Sequence, residues 1–367
     1  METIRDLDLA RSNCIRYLLN NIREDGSFVY KQNLKTGLVL PGYNILRHAG
    51  ALYVLFQSLQ PGEQTRPTDP LEKSVAYLTT YLHPLKGAPA ICCIVEADEA
   101  KLGGTALALL AFIERYKTHP DKESLERMRK MASFLVWMQE PSGKYKSKLM
   151  FESGSLSPFQ STYYPGEAIL ALTRLHEIDP DPAWLDSAAL GADYLLKNPV
   201  KDNTFQRGHN HWFAIALSEL YFRLPKKEYY EEVCLIADCT VQSVYLHLQE
   251  LSDPQNKIKP LSSAAMATRG ETVLACLVMG IKSENFQDIT TLPGALKEIL
   301  NYCLSLQVDT SGNQFPDRFT GGIRKSTTNS SIRIDYVQHV LSLILGSRWV
   351  ETALKRTGSS PAVVRSG

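Results

Sequence analysis

Arg333, Asp335, Tyr336 and His339 sit within one short stretch, and Asp335 and His339 are four residues apart. On a helix that spacing puts an acid and an imidazole on one face. Such a pair can take or give a proton near neutral pH, and a neighbouring guanidinium can hold a carboxylate. Similar polar groups recur at distant points: Tyr43, Asn44, Arg47 and His48; then Glu96, Asp98, Glu99 and Lys101 in EADEAK; then Tyr163, Tyr164 and Glu167; then His209, Asn210, His211 and Trp212; then Arg269 and Glu271. His339 reads as a general base held by Asp335 or by a neighbouring helix, with His211 or Tyr164 as its partner on the opposite wall. Arg47, Arg269 and Arg333 read as binders of an anionic group. Glu167 and Glu271 are the best pair for glycosidic cleavage. Tyr43, Tyr164 and Trp212 suit stacking on a sugar ring, and Asn44, His48 and Tyr336 complete the candidate substrate contacts. The His209-Asn210-His211 spacing matches no recognised metal-ligand pattern, so neither a metal nor a cofactor is expected. Each residue also has a plain structural reading. Asp335 and Glu167 are acids where a helix N-terminus favours them, and a lone buried histidine is often a core residue.

The groups gain weight from where they fall. In five cases an apolar, Ala- and Leu-rich segment follows at once: from Tyr43, Tyr163, His209, Arg269 and Arg333; in the sixth, LGGTALALLAFI from Leu102, the polar run lies just upstream. Such segments read as helices buried on several sides. Between them run more amphipathic segments such as SLERMRKMASFLVWMQ. These end in a recurring unit, seen in YLLNNIREDGSF from Tyr17, FLVWMQEPSGKY from Phe134 and YLLKNPVKDNTF from Tyr194. YCLSLQ from Tyr302 repeats its start with a looser ending, and the segments from Tyr77 and Tyr245 are weaker copies. The unit recurs about every 50–60 residues, a period typical of stacked supersecondary repeats. Its Gly or Asn closes a helix in the left-handed conformation, and its trailing aromatic is expected to pack back on the helix end.

Six alternating pairs, the second member buried all round, predict an all-α closed double ring, an (α/α)6 toroid, over residues 1–356 with a frayed tail at 357–367. The aromatic–Gln–Gly–aromatic units resemble the QW-type repeats of terpenoid-cyclase toroids. The general layout is similar to the (α/α)6 barrels of sugar epimerases, polysaccharide lyases and glycoside hydrolases. The resemblance implies a fold and carries no site residue with it. Inner helices of a toroid run in one sense, so their N-terminal ends, and the polar groups on them, should meet at one mouth. Six helix N-termini there favour an anionic ligand.

Composition narrows the function further. The 367 residues balance 40 basic against 39 acidic groups, which excludes the basic stripe of a nucleic-acid binder. No continuous apolar run is long enough to span a membrane, and METIRDLDLA has no apolar signal region. The seven cysteines form no disulfide framework by spacing, so a cytoplasmic protein with free thiols is expected. Phosphate-loop, dinucleotide, nucleophile-elbow and kinase motifs are absent. The expected function is therefore a carbohydrate-active enzyme, an epimerase, lyase or hydrolase, using acid/base chemistry on a polyhydroxylated, uronate-like small molecule or oligosaccharide. A non-catalytic glycan- or protein-binding scaffold is the first alternative. A terpenoid cyclase or prenyl-transfer relative is the second, although the chain has neither DxDD nor DDxxD.

Overall fold

The computed structural model describes residues 2–59, 69–199, 210–253, 255, 258–309 and 316–356. His209, the end of the unit that begins at Tyr194, and the tail from 357 lie outside them. Six inner helices form the core: α2 (Ile45–Gln57), α4 (Leu102–Thr118), α6 (Tyr164–Ile178), α8 (His211–Tyr221), α10 (Ser263–Lys282) and α12 (Ile334–Arg356). Each packs on the next, and α12 packs on α2, so the ring closes. The outer layer is α1 (Glu2–Asn20), α3 (Pro70–Thr79), α5 (Lys122–Trp137), α7 (Pro182–Lys197), α9 (Lys227–Ser252) and α11 (Leu292–Leu304). Each outer helix lies on the inner helix before it, and α1 completes the last pair by packing on α12. The first and last helices thus seal the ring together.

The two layers differ as their sequences require. In α4 every residue from Leu102 to Glu114 is buried. By length and composition α10 could cross a membrane, yet 78% of its most apolar window is buried inside the protein, where it forms one wall of the ring. In α5 only the stripe Ser124, Met128, Met131, Ala132, Phe134 and Leu135 is buried, at helical spacing. The Asp121 carboxylate caps that helix, accepting from the Ser124 N–H at 2.7 Å.

The recurring unit does more than close its own helix. Gln139 donates to the Ser187 carbonyl at 2.9 Å and accepts from the Ser187 hydroxyl at 2.8 Å, and Tyr145 OH bonds the same residue. The aromatic folds back on its own helix end, where Tyr145 bridges Gln139, and the unit after α5 also fastens onto the next outer helix, α7. Its Gly143, at φ +92°, lies so close to α7 that a Cβ would fall 2.3 Å from the Leu190 carbonyl oxygen. The looser unit after α11 closes the ring in the same way. Gln307 donates to the Ala10 carbonyl of α1 at 3.0 Å, and Gly321, at φ +82°, would put a Cβ 2.0 Å from the Asn13 oxygen.

Two antiparallel sheets lead into the inner helices. One has the order β1 (Lys31–Asn33), β8 (Asn329–Arg333), β7 (Arg324–Ser326). The other runs in sequence through β2 (Leu82–Leu85), β3 (Ala88–Glu96), β4 (Glu99–Lys101), β5 (Lys148–Met150) and β6 (Ser155–Leu156). EADEAK is the tip of the β3–β4 hairpin, with Ala97 and Asp98 in the left-handed region at φ 49° and 65°. Its acids serve the scaffold. Glu96 accepts from the Ile45 N–H at the start of α2 at 2.8 Å, and Glu99 pairs with Lys148 at 2.6 Å and Lys101 at 3.0 Å.

Candidate active site

The inner helices run in one sense, and the two ends of the ring show it. One end gathers C-terminal residues: Gln57, Glu114, Lys117, Arg174, Glu219 and Lys282. At that end the half-buried Arg174 bonds Glu219 through two nitrogens at 2.5 and 2.8 Å, Glu114 at 3.1 Å and Tyr53 OH at 2.5 Å, forming a charged plug. The other end holds a cavity of about 540 Å³ walled by the first turns of the inner helices, a volume ordinary for a small-molecule site.

Residues from Asn44 to His339, nearly 300 positions apart in sequence, meet in that cavity. Asn44, Leu46 and Arg47 come from the start of α2, and Leu107 from α4. Tyr163, Tyr164 and Glu167 come from α6 and its approach, and His211 and Trp212 from α8. Leu261, Ala264, Ala265, Thr268 and Arg269 lie along α10 and its approach, and Asp335, Gln338 and His339 along α12. Behind this lining lies Glu271, 5% exposed. Its carboxylate meets His339 Nδ1 at 3.0 Å and lies 3.8 Å from His211 Nε2. An ionised carboxylate only accepts, so the shared proton rides on His339 Nδ1, which donates. Nε2 is then the nitrogen left for chemistry. The 3.8 Å approach of His211 is too long for a hydrogen bond and acts through charge.

The titration of these groups follows from burial and pairing. Burial alone would push His339 down, but the adjacent Glu271 carboxylate outweighs it and holds the imidazole above its ordinary value. Burial alone would raise Glu271; His339 and His211, with the Ser342 hydroxyl, outweigh it and hold the carboxyl below its ordinary value. Glu167 has no such partner. It is 3% exposed, its Oε2 is buried with no hydrogen bond among the described residues, and burial pushes its pKa up to about 8. Its place depends on α4: Oε2 lies where a side chain on Gly103 would begin, 2.1 Å from a Cβ built there. Burial pushes Tyr164 up to about 12 and lowers Arg269.

The remaining candidates split. Asp335 is held by Arg333 through two bonds of 2.5 and 2.7 Å and by Arg47 Nε at 3.1 Å, so it serves the arginines and does not hold His339. Glu271, from the neighbouring helix, holds His339 instead. Arg47 also donates to Tyr30 OH at 2.5 Å. Arg333 lies outside the cavity lining, with its guanidinium 4.5 Å over the Tyr336 ring, and Tyr336 is buried beneath it. Tyr43 and His48 face the outer layer. Tyr43 OH meets His48 Nδ1 at 2.7 Å, and His48 Nε2 lies 3.0 Å from the Ser74 carbonyl oxygen of α3. His48 is fully buried, so these two pack the scaffold rather than contact a ligand. Three polar lining residues have no site role assigned from sequence: Thr268, Gln338, and Tyr163, which the sequence shows only as one of the polar groups at a helix start. Gln338 sits one residue before His339, but a lone amide in a helix carries no sequence signal.

His211, Glu271 and His339 also bring three donor atoms within 4.8 Å of one another, so a divalent ion is sterically conceivable there. It would have to displace the proton that His339 and Glu271 share.

The fold of this ring is that of known enzymes. The chain is an (α/α)6 toroid. Cellobiose 2-epimerase from Bacillus thermoamylovorans superposes with a TM-score of 0.67 at 15% identity, covering 96% of this chain and 100% of that one. D-mannose isomerase gives 0.62 at 12% identity over 95% and 99% of the two chains. Unsaturated glucuronyl hydrolase specific for heparin gives 0.62 at 13% identity over 95% and 98%. No family model matches the sequence, and no curated protein matches it.

Proposed function

We propose that this protein is an acid/base enzyme of sugars that moves a proton on a polyhydroxylated, uronate-like substrate, as an epimerase, isomerase or lyase does. One observation carries the reading: a single cavity holds a carboxyl kept protonated by burial, Glu167, and an imidazole backed by a carboxylate, His339 on Glu271. Burial keeps Glu167 neutral and able to donate, and the Glu271 carboxylate makes His339 a stronger base, so the cavity holds a proton donor and a proton acceptor. His339 Nε2 takes the proton, and Glu271 stabilises the imidazolium that forms. Glu167 donates to the oxygen that gains charge. Arg269 and Arg47 hold the substrate's carboxylate, and Trp212 and the two cavity tyrosines face the sugar ring. Folds of this kind in a cellobiose epimerase and a mannose isomerase support a sugar substrate.

Hydrolysis fits less well. It needs two working carboxylates, yet Glu271 is engaged by His339 and Asp335 by two arginines. A terpenoid cyclase would need an aromatic, arginine-poor chamber, and this cavity carries Arg47, Arg269 and two histidines.

The test is incubation in D2O with D-glucuronate, D-galacturonate, D-mannose and cellobiose, following deuterium uptake beside the carbonyl by NMR. Uptake in at least one sugar is expected, reduced by about 10²–10⁴-fold in His339→Asn at unchanged melting temperature. Release of reducing ends from oligosaccharides without any deuterium uptake would make it a hydrolase. Full rate in His339→Asn would remove the assigned base.

A further inference from the structure

Resting on that reading, we propose that Gln338 determines specificity by reading a pair of vicinal hydroxyls on the substrate. Gln338 lines the cavity from α12, between Asp335 and His339, and the residue is only 5% exposed. Among the described residues nothing hydrogen-bonds its side-chain amide. The other polar groups on that wall are engaged: Asp335 by Arg47 and Arg333, His339 by Glu271. Asn44, across the cavity on α2, spends its Oδ1 on the Arg47 N–H at 3.1 Å. The amide is therefore open to the cavity, where a ligand can take the place of water on both of its polar atoms.

The backbone makes room for this amide. A Cβ at Gly50 of α2 would lie 2.6 Å from both Nε2 and Oε1 of Gln338. Any other residue at position 50 would push the amide out of its place. The amide therefore sits flat against α2, with one donor and one acceptor at its tip. Two adjacent hydroxyls match that pattern: Nε2–H donates to one oxygen, and Oε1 accepts from the O–H of the next. A single carboxylate or phosphate cannot, because Oε1 would face a second acceptor. Gln338 is thus the neutral complement to Arg269. The arginine selects an acid, and the amide selects a polyol over a simple acid of similar size.

The experiment measures binding of D-glucuronate and of its 3-deoxy and 4-deoxy analogues by calorimetry to wild type, Gln338→Leu, Gly50→Ala and His339→Asn, with turnover where it exists. Leu keeps the volume and removes both polar atoms. Expected is a loss of about 10–100-fold in glucuronate affinity for Gln338→Leu and Gly50→Ala. KM should rise with little change in kcat. The gap between glucuronate and at least one deoxy analogue should collapse, while His339→Asn keeps both affinity and gap. Equal affinity and an unchanged gap in Gln338→Leu overturn the assignment and leave the enzymatic reading intact. Wild type that binds none of the three overturns the uronate reading, and this assignment with it. If Gln338→Leu does not fold, the Gly50→Ala result decides alone.

Discussion

Glu167→Gln should change how stability depends on pH, and the size of the change follows from the site. In the folded protein burial pushes the Glu167 pKa up to about 8. An exposed glutamate in the unfolded chain titrates at about 4.3. A folded-state pKa above the unfolded one means that the native state binds the extra proton. Its favourable contribution is complete below about pH 4 and is lost as pH rises toward 8, because the unfolded chain ionises first. Between pH 5 and pH 8 the wild type should therefore lose roughly 3 kcal/mol relative to a variant that cannot ionise there. For a chain of this length that is a shift of roughly 4 °C in the melting-temperature difference. The comparison is a double difference: urea midpoints of wild type and Glu167→Gln at pH 5 and at pH 8. The amide's own cost in the buried slot appears at both pH values and cancels. The variant should gain on the wild type by that amount as pH rises, while its turnover falls by about 10²–10⁴-fold. Stability curves that stay parallel from pH 5 to pH 8 would refute the reasoning, because they would mean that Glu167 is ionised in the native state throughout.

Two further expectations test the frame around the site. Arg174→Met leaves Glu219 without its cation and Glu114 with Lys117 alone at the far end of the ring; it should cost about 1–3 kcal/mol in urea denaturation while activity per folded molecule stays the same, and no loss would mean the plug is solvated. Gly321→Ala forces a side chain into φ +82° and against the Asn13 oxygen of α1; it should cost at least about 2 kcal/mol, with faster amide exchange in α1, and an unchanged midpoint would show that ring closure does not pass through this contact.

Local chemistry made the helices readable. An apolar run such as LGGTALALLAFI has no exposed solution, and its alternation with amphipathic segments every 50–60 residues leaves few arrangements besides a ring of hairpins. The two small sheets were not readable, because strands as short as β1, β4 and β5 carry too few residues to show an alternation. EADEAK looks like a charged loop, and its acids find their roles only through partners far away in sequence, Ile45 and Lys148.

The same boundary runs through the site. Sequence alone determined which residue types gather at the helix starts, because a helix N-terminus has a direction and six inner helices of one ring share it. It placed Arg47, Glu167, His211, Arg269 and His339 at one end for that reason. Only the tertiary structure decided who pairs with whom. His48 and His339 are each a histidine early in an inner helix, yet one points outward to α3 and the other to the cavity. Asp335 went to the arginines and Glu271 to the histidine. Those outcomes depend on distances of a few ångströms between helices, and on glycines such as Gly50 and Gly103 whose missing side chains leave the space. A pKa depends on burial and neighbours, which no single stretch of chain contains.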